Sequence, residues 1–162
     1  MQLTEHLDVD AERFFDAIET SIIEDVERSR GKKTKGITIR SGFSYKKLNG
    51  EKNGRMLSTI VDVIEWDPPR AYGSRITDES GETTIRYLVW PTEDGGIDVD
   101  YSEEFVNTTG THSALRKVTG ALQLLPAKNQ VKRMLHNIEG QIKADDTADQ
   151  YLSDAERELG DE

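Results

Sequence analysis

The stretch Met56 to Tyr72, MLSTIVDVIEWDPPRAY, constrains the fold more than any other part of the chain. An apolar-rich strand runs to Trp66 and is stopped by Asp67, Pro68 and Pro69, because proline has no N–H to give to a sheet ladder. Helical periodicity lies before and after this block, and alternating periodicity flanks it on both sides. The order is therefore strand, helix, a block of strands, then a long closing helix: an α+β chain in which a sheet grips a helix.

Leu3 to Val9 alternates and forms a first strand, and Asp10 is placed to cap the helix that follows. There Phe14, Ile18, Ile22 and Val26 recur every four residues, with Phe15 and Ile23 beside them. Such a stripe packs on a core. The polar face is mainly acidic, which argues against a membrane-surface helix. Gly31 ends it.

From Lys35 to Val106 the period becomes two, with turn signals at Leu48 to Gly54, Asp67 to Pro69, Asp78 to Gly81 and Pro91 to Gly96. Strands are expected over Ile37 to Lys47, Arg55 to Trp66, Arg70 to Thr77, Glu82 to Trp90 and Ile97 to Val106, joined as an antiparallel meander. Alternation puts Ile37, Ile39, Phe43 and Tyr45 inside, with Leu57, Val61 and Val63 from the next strand. Ile85, Tyr87, Val89, Ile97, Val99, Tyr101 and Phe105 complete that face. Ile60, Ile64 and Trp66 break the pattern and need a partner, either the first helix or a strand end.

After Gly110 the helical period returns: Leu115, Val118, Leu122 and Leu125, then Val131, Met134, Leu135, Ile138 and Ile142. Pro126 should kink this helix or start a second segment. Residues 1–144 read as one domain. Residues 145–162 read as an acidic tail, either a short helix capped by Ser153 or disordered.

The net charge is −10, of which −6 falls between Lys143 and Glu162. Elsewhere basic residues are spread over Arg28 to Lys35, Lys46 to Arg55 and Arg116 to Arg133, as ordinary solubilising charge, and a phosphate backbone would be repelled overall. There is no cysteine, so disulfides and thiolate metal sites are excluded. The N-terminus lacks a signal-peptide pattern and no apolar run approaches ~20 residues, so a cytoplasmic protein is expected. His6, His112 and His136 stand at no metal spacing, and no phosphate-binding or nucleophile motif appears. No metal or cofactor is expected.

One residue conflicts with its surroundings. Glu103 continues the face of Ile97, Val99, Tyr101 and Phe105, so a carboxylate points where the pattern is apolar. It must be paired, hydrogen-bonded or protonated. Tyr45, Tyr87 and Tyr101 could supply hydroxyls, and Lys47 or Arg55 charge. Two readings stand: a pocket with one carboxylate and several tyrosines, suited to an amphipathic ligand, or a strand-end Glu satisfied by water.

The strings LDVDAERFFDAI, VIEWDPPRAY and IDVDYSEEF resemble the helix-grip superfamily of START lipid-binding domains, birch-pollen-type allergens and polyketide cyclases. More closely, Gly42-Phe43-Ser44-Tyr45, Asp67-Pro68-Pro69, Tyr101-Ser102-Glu103-Glu104-Phe105 and Met134-Leu135-His136-Asn137-Ile138-Glu139 resemble a small bacterial family of that superfamily with no assigned role. The resemblance covers about residues 1–143. It implies a curved antiparallel sheet wrapped around the C-terminal helix, with a cavity for an apolar or amphipathic small molecule. Phe43, Tyr45, Val61, Tyr87, Val89, Tyr101 and Glu103 would line it from the sheet, and Leu122, Leu135 and Ile138 from the helix. No catalytic residue carries over. The alternatives are an interaction module of the chaperone-assisting kind, with a protein partner or a second copy, and a cyclase- or hydrolase-like enzyme using Glu103 with Tyr101 or His136.

Overall fold

The first helix begins where Asp10 accepts a hydrogen bond from the Arg13 N–H at 2.8 Å and ends at Gly31, whose φ of 69° lies in the left-handed region that favours glycine. In the computed structural model, residues 1–107 and 120–160 are described, with side chains for 1–107 and 127–153. The elements are β1 (Gln2–Leu7), α1 (Ala11–Arg30), β2 (Ser44–Lys52), β3 (Arg55–Asp67), β4 (Ala71–Thr77), β5 (Gly81–Pro91), β6 (Ile97–Asn107) and α2 (Gly120–Gly160). The six strands form one antiparallel sheet in the order β1-β6-β5-β4-β3-β2. The chain thus has the expected α+β helix-grip architecture, with β2 to β6 as a meander and β1 added beside β6.

Three expectations need correction. Residues 37–40 form no strand, and β2 starts at Ser44. Ile39 is still buried, and the segment hooks onto β3 through the Gly42 N–H to Val63 O and the Val63 N–H to Phe43 O, both 2.7 Å. Second, Leu48 to Gly54 is not a loop. A bulge between Leu48 and Gly50, with Asn49 as the extra residue, interrupts the pairing with β3, and the reversal is confined to Asn53 and Gly54, with φ of 54° and 74°. Two consecutive positive φ angles are what a tight type I′ hairpin needs. Third, α2 continues through Pro126 without a break and on to Gly160, so residues 145–160 extend the closing helix.

The core lies between the inner sheet face and the helices. Phe14, Leu7, Ile97, Leu135, Val63, Val89 and Val99 are its most buried side chains. Leu57 and Phe105 share inner-face parity but are each 42% exposed, because they stand at the end of the sheet, outside this cluster. Among the described residues no helix is long and apolar enough to cross a membrane.

Candidate functional site

A register shift between Val63 and Glu65 decides the inner face of β3. One extra residue reverses the parity of the strand beyond it, so Trp66 comes to the same side as Val61 and Val63. It then heads a cross-strand row: Trp66 opposite Tyr72, Tyr72 opposite Tyr87, Tyr87 opposite Tyr101, and Tyr101 opposite Leu3. The ring centroids lie 5.9, 5.8 and 5.3 Å apart along the four aromatic residues. From above, α1 sets Phe15 edge-on to Trp66 at 5.8 Å and Phe14 edge-on to Tyr87 at 6.2 Å. Edge-to-face contacts of this kind stabilise beyond their buried area. Trp66 therefore has the first helix as its partner.

The next row mixes chemistry. Val63 stands opposite Ser74, Ser74 opposite Ile85, and Ile85 opposite Glu103. Ser74 is buried and Glu103 half-buried. One row further, Tyr45, Val61, Ile76, Thr83 and Phe105 follow, and Lys47 opposite Thr59 comes last. The concave face thus runs from a solid apolar end to a polar one.

Glu103 is held by its own strand. The Tyr101 hydroxyl, two residues away on the same face, donates to Glu103 Oε2 at 2.6 Å. The Glu103 N–H donates to the Met1 carbonyl at 2.8 Å, and the Met1 ammonium donates to the Glu103 carbonyl. A groove of about 720 Å³ opens beside it, with Met1, Thr84, Glu104 and Lys128 on its walls. Burial raises the pKa of the Tyr101 and Tyr87 hydroxyls well above the ordinary phenol range, with the Glu103 carboxylate adding to the rise. Burial raises Tyr45 likewise, and Tyr72 too, with the Ser74 hydroxyl opposing. All four stay neutral donors at any physiological pH.

Lys47 does not serve Glu103. Its Nζ lies 2.7 Å from Asp25 Oδ2, a buried carboxylate of α1 that also meets Arg28 at 3.3 Å. Arg55 stands exposed at the hairpin end of β3. The partner for the inner carboxylate comes from Tyr101, a hydroxyl of the sequence-derived set.

The remaining expected residues sit at different depths. Val61, Tyr87, Val89, Tyr101 and Leu135 are buried, while Phe43, Tyr45 and Ile138 pack half-buried against the core. Phe43 and Tyr45 stack obliquely at 6.0 Å. Val89 and Leu135 belong to the solid end. Leu122 and Leu125 lie on α2 outside the residues whose side chains are described, and Leu115, Val118 and His112 lie outside the described residues. Sequence reasoning missed Tyr72, Ser74 and the inward turn of Trp66. Counting outward from the Pro-Pro turn would have placed Trp66 opposite Tyr72.

His136 faces the seam between β1 and α2, with Nε2 2.9 Å from Glu5 and Nδ1 2.7 Å from Glu139. Among the described residues no group of three or more acidic or histidine side chains could hold a metal ion.

A six-stranded curved antiparallel sheet closed by a long C-terminal helix defines the helix-grip class shared with birch-pollen-type allergens. The structure of Ara h 8.0201 superposes with a TM-score of 0.60 at 14% identity, over 89% of this chain and 97% of that one. A protein of unknown function, SA2116 from Staphylococcus aureus, superposes with a TM-score of 0.62 at 12% identity, over 91% and 94%. TTHA0849 from Thermus thermophilus gives 0.54 at 13%, over 89% and 97%. At these identities the likeness is one of fold. No curated protein sequence matches. The chain belongs to the family described as a domain of unknown function, DUF3284, whose model matches residues 1–123.

Proposed function

We propose that this protein binds a small amphipathic molecule on the concave face of its sheet, with residues 1–144 as the binding body. The apolar part of the ligand lies against the half-buried Phe43, Tyr45 and Ile138, beyond the packed aromatic row, and its polar group is oriented by Glu103 and the neighbouring hydroxyls. The observation that carries this reading is a half-buried carboxylate hydrogen-bonded to Tyr101 and set one row from four inward aromatic rings. A core built only for stability has little use for a carboxylate there, since burying one costs free energy unless it is satisfied. A largely apolar surface with a few convergent polar groups is the usual composition of a small-molecule site. Ligand binding in this fold class is general, and the anchor residues differ from member to member.

Thermal-shift screening with lipids and aromatic compounds tests the reading. A true ligand at 100 times its Kd adds about 2.7 kcal/mol of stability. Glu103→Gln and Tyr101→Phe should then weaken binding about tenfold each, the loss of one hydrogen bond to a charged group. Silence across the whole panel would remove the proposal.

A further inference from the structure

Of the 21 lysines and arginines, ten fall between residues 28 and 55, against a single acid, Glu51. In the sequence they look scattered. The fold gathers them, because the last turn of α1 and the β2–β3 hairpin point to the same end of the molecule. Lys47 and Arg28 meet over Asp25, and the segment after α1 folds back through Lys33 and the Thr34 N–H onto Glu27 at 2.9 Å each. Arg28, Arg30, Lys52 and Arg55 are exposed. The hairpin also protrudes: β3 pairs with β4 only from Ile60 onward, so residues 55–59 and their β2 partners reach about 16 Å past that ladder. Beside the cations this ribbon carries Met56, 53% exposed, and Leu57. Asp78 and Glu79 bound it on the β4 side.

We infer that the β2–β3 ribbon and the end of α1 dock on an anionic lipid surface. Cations give long-range attraction to acidic headgroups, while the exposed Met56 and Leu57 of the protruding ribbon add apolar contact at the interface. A nucleic acid would use the cations but gain nothing from a methionine and a leucine. The acids elsewhere in the chain hold the other faces away from the same surface. This surface is separate from the concave site and stands whether or not that site takes a ligand.

Co-sedimentation of the full chain with phosphatidylcholine vesicles, with and without phosphatidylserine as a third of the lipid, tests it. Binding is expected on the anionic vesicles only, and should disappear at about 0.5 M salt, where the screening length is ~4 Å. Lys52→Gln with Arg55→Gln should weaken it on the order of 25-fold. Met56→Ser with Leu57→Ser should weaken it while leaving the salt dependence in place. All four positions are exposed, so an unchanged melting curve certifies the fold. No binding to anionic vesicles at low salt overturns the inference. So does equal binding to neutral vesicles, or full binding by the Met56 and Leu57 variant with competition from an oligonucleotide, which would mark a general polyanion surface.

Discussion

A methyl group at Gly81 would sit 2.2 Å from the Val106 carbonyl oxygen, on a backbone whose φ is 153°. Neither the contact nor the dihedral suits an L side chain. Gly81→Ala should therefore destabilise by about 2–4 kcal/mol, read from urea denaturation, and a loss below about 1 kcal/mol would show that the β5–β6 ladder gives way easily. On α2, Leu135 is fully buried and Met134 is 37% exposed. Leu135→Ala should cost about 2–5 kcal/mol and Met134→Ala under about 1 kcal/mol. Equal costs would place the helix in a different rotation. Tyr101 differs from both, because the hydroxyl lost in Tyr101→Phe leaves Glu103 without its 2.6 Å donor.

At the scale of elements, α2 is fastened to β1 by charge. Glu5 meets Lys132 at 2.8 Å and His136 at 2.9 Å, while Glu139 meets His136, the Asp8 N–H and Lys143. Lys143 also reaches Asp8 at 2.9 Å. Both ring nitrogens of His136 face carboxylate oxygens, and only the doubly protonated imidazolium can donate to both. The hydrogen bonds to Glu139 and Glu5 raise the His136 pKa above 6.5. Glu5 is lowered, first by Lys132 and then by His136. For Glu139 burial is the largest single effect and opposes ionisation, but His136, the Asp8 N–H and Lys143 together outweigh it and bring the pKa to about 2.

The signs set a window. A raised His136 stabilises below 6.5 and loses its contribution as pH rises through the folded value, whereas the lowered carboxylates stabilise above 4.5 and lose theirs as pH falls toward about 2 for Glu139. The thermal midpoint should be highest between these limits and should decline on the alkaline side. His136→Gln should reduce that alkaline decline, leaving the smaller part that comes from His6, whose pKa its hydrogen bond to Asp98 also raises. A decline of equal size in the variant would assign it to other groups, and an NMR titration placing His136 at or below 6.5 would contradict the clasp directly.

The elements themselves were legible because their signals are periodic: the four-residue stripe of α1, the alternation of β5 and β6, and the Pro-Pro stop all appear where expected. The errors lie where one residue overrides a period. Asn49 and Gly50 look like loop composition, yet Asn49 is the extra residue of a bulge inside a strand. The shift beyond Val63 turned Trp66 from an apparent exception into a member of the inner row, and alternation alone cannot see a bulge.

For the whole molecule, the candidate site was legible in part. The Glu103 conflict needed only parity, but its partner needed geometry, since Lys47 turned to Asp25 on a helix far away in sequence. The clustering of positive charge needed the fold as well. At the opposite pole, α2 passes Asp146, which pairs with Arg13, and the side chains from 147 to 153 are all exposed, including Tyr151 at 74% and Leu152 at 65%. Deleting residues 147–162 should leave the unfolding free energy within about 1 kcal/mol of the full chain. A larger loss in denaturant titration would mean that this extension folds back on the body.

The extra residue in β3 also divides the chain's two tryptophans. Trp66 is turned inward against Phe15 and Tyr72, whereas Trp90 is 58% exposed, its indole N–H directed to Asp100 at 3.3 Å. Collisional quenchers in the solvent reach Trp90 first, and a molecule seated on the concave face perturbs Trp66 before Trp90. The protein therefore contains one spectroscopic probe of its interior and one reference for its surface, separable by a single Trp90→Phe substitution.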